Sequence, residues 1–196
     1  MKNRLFFVLS ALASGALYTF SNVGYGQWYL AFFAFVPLLL ALERNGNSLL
    51  GSAVLVFSSG CIVYVVGYSW LFALAGDFVN GQAESVAMWS GYGFLVALNF
   101  AFLGLVYSVL RRAQVPLVLS FCTALVLHEA MQFNLFPFYF GASMVHSPGL
   151  AQAADLGGVY LLSALLAVVK GGIAGGILHL ERESLLAIAL LVCAAI

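Results

Sequence analysis

The chain has 196 residues, of which 64% are hydrophobic and 7% are charged, and its formal net charge is zero. Soluble domains are on average roughly half apolar and about a quarter charged, so this composition excludes an ordinary soluble domain. A zero net charge also excludes the basic surface that binds nucleic acid and the charge bias of a disordered acidic chain. We therefore expect a chain solvated mainly by lipid, with no nucleic-acid partner.

Hydropathy predicts an all-α, polytopic bundle of about seven membrane segments, which we treat as one membrane domain over 1–196. The predicted segments lie at 5–20, 27–42, 48–74, 85–110, 116–134, 158–180 and 184–196. The first segment follows a basic N-terminus and resembles a signal peptide. Its apolar run is long, however, and a second segment follows at once, so we expect a retained helix.

The lysines and arginines predict the orientation of the bundle, because cytoplasmic loops carry an excess of both. If the N-terminus is cytoplasmic, six of the seven basic residues fall on the cytoplasmic side and none lies in an external loop. The external loop at 75–84 carries only acidic groups, Asp77 and Glu84. We therefore predict a cytoplasmic N-terminus. The six basic residues are Lys2, Arg4, Arg44, Arg111, Arg112 and Arg182.

The seventh predicted segment, 184–196, runs outward and is short. Its 13 residues extend about 20 Å as a helix, whereas the hydrocarbon core is about 30 Å thick. We therefore expect a truncated sequence that would continue on the external side. The alternative is a short helix around which the bilayer thins.

Two ionisable residues fall deep inside predicted membrane segments, where each is costly. Helix rise, counted from Arg182 and from Pro116, puts Lys170 and Glu129 at similar depths, about 18–20 Å above the cytoplasmic boundary. We therefore predict that Lys170 and Glu129 face each other across the sixth and fifth segments. Such a pair either fixes helix register or forms the polar wall of a head-group pocket. In the remaining alternative, Lys170 extends alone toward the interface.

The external link between the fifth and sixth segments is long and rich in aromatic residues. An aromatic belt at the membrane surface is one interpretation. The other is a link that dips into the outer leaflet and lines a portal for lipid, because connections of this length are often functional. The aromatic residues are Phe133, Phe136, Phe138, Tyr139 and Phe140.

The sequence offers no recognisable catalytic residue, cofactor site or metal site. His128, His146 and His179 lack the spacing of metal ligands. His146 and Asp155 share the external link, but no nearby serine completes a hydrolase triad. We therefore assign no catalytic residue, no cofactor and no metal.

Two stretches of the chain resemble bacterial apolipoprotein N-acyltransferases, and the likeness covers most of residues 10–180. The first is the turn Gly24-Tyr25-Gly26-Gln27-Trp28, which leads to Val36-Pro37-Leu38-Leu39-Leu40. The second comprises Glu129, Pro137-Phe138 and the run Gln152-Ala153-Ala154-Asp155-Leu156-Gly157-Gly158-Val159-Tyr160 with Ser163. Its pattern Gln-x-x-Asp-Leu-x-Gly-x-Tyr is the distinctive part.

The resemblance implies a multi-pass protein of the bacterial inner (plasma) membrane that takes part in lipoprotein maturation. Enzymes of this family move an acyl chain from a phospholipid to the amino group of a lipoprotein's diacylglyceryl-cysteine. The implied partners are phospholipid, a lipoprotein substrate and a periplasmic catalytic domain, here a separate one. The family's Glu-Lys-Cys triad lies in that nitrilase-like domain, to which no part of this chain corresponds. We therefore expect the chain to be inactive alone, and its status as an enzyme stays open.

The resemblance and the depth argument together select five polar residues as substrate-pocket or structural candidates: Glu129, Lys170, Gln152, Asp155 and Tyr160. A second function class fits the same helices, namely a small membrane transporter or a non-enzymatic membrane scaffold. Transporters commonly contain inverted repeats, and this sequence contains no convincing repeat.

Overall fold

A computed structural model describes residues 2–78, 81–132, 135–136 and 138–178. Within those residues the chain folds into helices without a strand, which confirms the predicted all-helical membrane bundle. The α-helices are α1 (Lys2–Ser21), α2 (Val36–Arg44), α3 (Leu49–Gly67), α4 (Trp70–Phe78), α5 (Gln82–Arg112), α6 (Leu117–Met131), α7 (Pro148–Ala151) and α8 (Ala154–Leu178). Two 3₁₀ helices, the first at Trp28–Phe32 and the second at Phe140–His146, complete the described chain.

Four helices of the described chain, α1, α3, α5 and α8, are long and apolar enough to cross a membrane. The apolar helix α6 is shorter, with 15 residues. The predicted seventh segment at 184–196 and the expected truncation after it lie outside the described residues.

The segment predicted at 27–42 is divided in the structure. The first 3₁₀ helix ends at Phe32, and α2 starts at Val36 with Pro37 in its first turn, where the missing N–H of proline is tolerated. Leu38, Leu39, Ala41 and Leu42 of α2 are fully buried, so this short helix lies inside the bundle. The Leu38 N–H donates to Ser14 Oγ on α1 at 3.0 Å, which satisfies one of the free donors at the start of α2.

The segment predicted at 48–74 is also divided, because the chain breaks between α3 and α4. The Trp89 indole N–H of α5 donates to the Tyr68 carbonyl at 3.2 Å, and the Tyr68 hydroxyl donates to the Phe136 carbonyl at 3.3 Å. Contacts with distant parts of the chain therefore hold the break.

The basic end of the bundle, as we call it, contains Arg4, Arg44, Arg111 and Arg112. The Arg111 Nη2 lies 2.7 Å from the Glu43 Oε2, which joins α5 to α2. The Arg112 Nε donates to the Asn47 carbonyl at 2.8 Å, and the Arg44 Cζ lies 4.4 Å from the centre of the Phe6 ring in the first turns of α1. The predicted clustering of these arginines at one end is confirmed, and Arg182 lies outside the described residues.

The aromatic end lies at the other end of α3 and α5. It is formed by Tyr64, Tyr68, Trp70, Trp89, Tyr92, Phe136 and Phe138, whose rings contact one another. The Tyr92 hydroxyl accepts the Phe136 N–H at 3.3 Å. Residues of the external link are thereby tied to the ends of α3 and α5.

Candidate functional site

The external link enters the bundle at the second 3₁₀ helix. Phe140, Ser143 and Met144 are each only 2% exposed, and Gly141 is also buried. A short segment of this kind leaves backbone N–H groups without intrahelical partners, and in lipid these groups need a partner from the protein. Side chains of the neighbouring helices must therefore bind these backbone groups.

Glu129 on α6 supplies the first partner. Its Oε1 accepts the Phe140 N–H at 2.5 Å and the Ser163 hydroxyl at 2.8 Å. The Ser163 Oγ in turn accepts the Gly141 N–H at 2.8 Å. One carboxyl and one hydroxyl, from α6 and α8, thus bind the start of the second 3₁₀ helix.

Gly141 is required by the close approach of this segment to α8. A Cβ at Gly141 would lie 2.6 Å from the Val159 carbonyl oxygen and 2.8 Å from the Ser163 nitrogen. Both neighbours are backbone atoms, which cannot rotate away. Any larger residue would therefore separate the link from α8.

Lys170 on α8 also lies next to the start of the second 3₁₀ helix, and it is 1% exposed. Its Nζ lies 5.2 Å from the centre of the Phe35 ring and 5.6 Å from the centre of the Phe140 ring, within the range of a cation–π contact. Lys170 and Glu129 interact electrostatically but form no ion pair within 4.0 Å. The two predicted partners are thus brought together beside Phe140, without direct contact.

We call Glu129, Phe140, Ser163 and Lys170 the buried polar cluster. The Glu129 Oε2 is buried and accepts no hydrogen bond from the described residues. His128, the residue before Glu129, directs its Nδ1 to the Asn99 carbonyl at 2.8 Å, whereas the Ser163 hydroxyl donates to Glu129. Glu129 and Ser163 both accept backbone N–H groups of the second 3₁₀ helix, so the arrangement anchors this segment to α6 and α8.

The other three candidate residues lie elsewhere. Gln152, Asp155 and Tyr160 are exposed around the outer start of α8, and the Tyr160 ring packs on Tyr139 at 5.6 Å between centroids. Gly158 interrupts the helix here with a φ of +67°, a conformation that glycine adopts readily. These three residues do not join the buried polar cluster, and a substrate role for them stays a prediction.

The charge pattern of the sequence missed two members of the cluster and one of its neighbours. Ser163 stands beside the family-like run and was not selected as a site residue. Phe140 binds Glu129 through its backbone N–H. Because every residue except proline has this group, the residue type at position 140 does not indicate the contact. Tyr18 contributes a ring 4.5 Å from that of Phe140, and its position in α1 gave no indication of this contact.

A cavity of about 360 Å³ lies at the aromatic end, between α4, the start of α5 and the external link. Met88 and Leu135 on its wall are 44% and 74% exposed, so the cavity adjoins the outer surface of the bundle. Its apolar lining suits a hydrocarbon chain. The lining residues are Leu71, Leu74, Ala75, Met88, Trp89, Tyr92, Leu135 and Phe136.

A second cavity of about 270 Å³ lies at the same end and is more polar. Trp70 lines this second cavity, and its ring packs at 5.2 Å on that of Phe136, which lines the first cavity. The lining of the second cavity includes Asn22, Tyr25, Tyr68, Ser69, Trp70 and Phe138.

A comparison with family models matches residues 14–172 to the apolipoprotein N-acyltransferase N-terminal domain. The match covers α2 to α7, the last eight residues of α1 and most of α8. It includes the buried polar cluster and both cavities of the aromatic end. A comparison with curated proteins gives no match.

Proposed function

Because the chain belongs to the family of the apolipoprotein N-acyltransferase N-terminal domain, we propose that it is the membrane part of such an acyltransferase. In this role it admits a phospholipid from the bilayer as acyl donor and serves lipoprotein maturation in the bacterial inner membrane. The observation that carries the proposal is the apolar cavity of about 360 Å³ at the aromatic end.

The acyl chain of the phospholipid occupies this apolar cavity. Exposed Met88 and Leu135 form the side on which the chain enters from lipid. The more polar second cavity, with Asn22 and Ser69 in its lining, lies next to it and takes the head-group region. The aromatic wall around Trp70 suits this depth, because tryptophan and tyrosine favour the membrane interface.

The acyl-transfer chemistry belongs to a catalytic domain outside the membrane. Transfer through a thioester needs a cysteine with a lowered pKa and a base beside it. Cys61 and Cys122 lie within the apolar helices α3 and α6, and neither lines the two cavities of the aromatic end. The buried polar cluster is assigned the role of holding the external link in place under that domain.

A transporter is the competing function, and the buried charges are the feature that bears on it. Charged groups that carry a substrate face a water-filled path. Glu129 and Lys170 are 2% and 1% exposed, and none of the four cavities described in this chain is lined by either. Their burial fits an anchor better than a path.

Photo-crosslinking tests the lipid site. The full chain is reconstituted with phosphatidylethanolamine that carries a diazirine at mid-chain, irradiated, digested and analysed by mass spectrometry. We expect adducts concentrated in α4, the start of α5 and residues 135–136. Met88→Trp fills the cavity and should lower these adducts several-fold. Leu95→Trp is the matched control, because Leu95 is 46% exposed on the same helix and lines no part of this cavity.

Adducts spread evenly over all lipid-facing helices, with no effect of Met88→Trp, would contradict the lipid site. A second assay addresses the chemistry: the purified chain is mixed with phospholipid and a diacylglyceryl lipopeptide, and the product mass is measured. We expect no acylated lipopeptide. Acylation by the chain alone would overturn the assignment of the chemistry to a separate domain.

A further inference from the structure

A third cavity, of about 250 Å³, lies toward the basic end, between α1 and α3. It is a groove with apolar walls and is open on the side, because Val8, Leu12 and Val54 on its walls are 54%, 42% and 55% exposed. The lining residues are Phe7, Val8, Ala11, Leu12, Asn45, Gly51, Val54, Leu55 and Ser58. Its place at the opposite end from the aromatic end makes it independent of the proposed function.

A cation stands at the rim of this groove. Arg44 ends α2 directly before Asn45, which lines the groove. The Arg44 guanidinium lies 4.4 Å from the centre of the Phe6 ring, and Phe6 packs edge-on against Phe7 in the groove wall with a centroid distance of 5.8 Å. Arg4, one turn before Val8 on α1, adds a second exposed cation on the same side.

Arg44 lacks a carboxylate partner among the described residues. Glu43, the acidic group of the basic end in the described chain, is bound to Arg111 through two nitrogen–oxygen contacts of 2.7 and 2.9 Å. Arg44 itself forms no ion pair within 4.0 Å in the described part of the chain. An exposed guanidinium without a counter-charge among the described residues therefore borders an apolar groove.

We propose that this groove is a binding site for an anionic phospholipid, with one acyl chain between α1 and α3 and the phosphate on Arg44. Basic pockets between membrane helices on the cytoplasmic side are suited to acidic head groups. The groove supplies the apolar contact, and Arg44 supplies the preference for negative charge. The site binds lipid at the basic end, where lipid would stabilise the packing of α1 on α3.

Native mass spectrometry of the full, delipidated chain tests this site. The protein is titrated with phosphatidylglycerol and with phosphatidylethanolamine of identical acyl chains. We expect about fivefold tighter binding of phosphatidylglycerol, the preference that one basic group near a membrane surface gives. Arg44→Gln should remove most of this preference. Arg112→Gln, the control, removes a charge of the same end that bonds to the Asn47 carbonyl and should leave the preference unchanged.

The groove itself is tested by Val54→Phe, which fills it and should weaken the binding of both lipids several-fold. Val109→Phe is the matched control, because Val109 is 54% exposed on α5 and does not line the groove. Equal binding of the two lipids by the unchanged chain would overturn the proposal. Equal losses for Arg44→Gln and Arg112→Gln would overturn it too, since they would indicate a diffuse positive surface. If Arg44→Gln does not fold, Arg44→Lys must retain the preference, and the Val54→Phe pair decides the site.

Discussion

Glu43 at the basic end and Glu129 in the buried polar cluster are both glutamates, but their carboxylates are bound in different ways. Both oxygens of Glu43 are bound, one by Tyr107 and Arg111 and the other by Arg111 alone. The Glu129 Oε1 binds the backbone at Phe140 and the Ser163 hydroxyl, whereas its Oε2 accepts no hydrogen bond from the described residues. Lys170 is near Glu129 without contact.

The difference follows from what each region needs. At the basic end, α2 and α5 end close together, and a charged pair with an 11% exposed carboxylate joins them near water. In the buried polar cluster, the chain leaves a helix inside the membrane domain, and Glu129 replaces the backbone partner that a continuous helix would have supplied. The Glu43 carboxylate therefore neutralises Arg111, whereas the Glu129 carboxylate binds the backbone of the second 3₁₀ helix.

Glu129→Ala should have the largest effect on stability. It leaves the Phe140 N–H and the Ser163 hydroxyl without their acceptor and Lys170 without its electrostatic partner, which we expect to cost ~3–5 kcal/mol. Reversible unfolding in mixed micelles, followed by tryptophan fluorescence, measures the loss. Glu84→Ala, at the exposed start of α5, should change stability by less than about 0.5 kcal/mol. Equal effects of the two variants would refute the anchoring role of Glu129.

Lys170→Met tests whether the contributions of Lys170 and Glu129 to stability depend on each other. We expect the single variant to cost ~2–3 kcal/mol, because it leaves the buried Glu129 without its opposite charge. In the background of Glu129→Gln, Lys170→Met should cost less by at least about 1 kcal/mol, since no buried charge then remains unpaired. The double-mutant cycle in micelles gives this coupling free energy. Strict additivity would mean that the two groups act independently.

Glu43→Gln should have the smallest effect of the three. The amide keeps one acceptor for Tyr107 and Arg111, and the pair lies close to water, so we expect a loss of ~1 kcal/mol. The same unfolding assay applies, and added salt should reduce the difference between the variant and the unchanged chain. A loss as large as that of Glu129→Ala would erase the distinction between the two regions.

The helices were predictable from sequence where hydropathy decides them, and their breaks were not. The long apolar runs predict α1, α3, α5 and α8 well. The break after α3 depends on Trp89, which is 21 residues along the chain from Tyr68 and captures its carbonyl. The break before α2 had a local signal in Pro37. Hydropathy averaged over a whole segment does not detect such a signal.

The candidate site was predictable in part, for a similar reason. An ionisable residue inside an apolar run is visible in any sequence, so Glu129 and Lys170 were found. Their partner Phe140 acts through a backbone N–H, and its position depends on the close approach of Gly141 to α8. Such contacts arise only when the external link folds back into the bundle.

The distinction between the two ends of the bundle is tested most directly at α5, because Ala83 in its first turn and Ala113 directly after its last residue are both exposed. In a chain whose three cysteines are replaced, Ala83→Cys reports the aromatic end and Ala113→Cys reports the basic end. Each is treated with a membrane-impermeant maleimide in intact spheroplasts and after the membrane is opened. We expect labelling of Ala83→Cys in intact spheroplasts and of Ala113→Cys only after opening. Labelling of both from the outside, or of Ala113→Cys alone, would contradict this distinction.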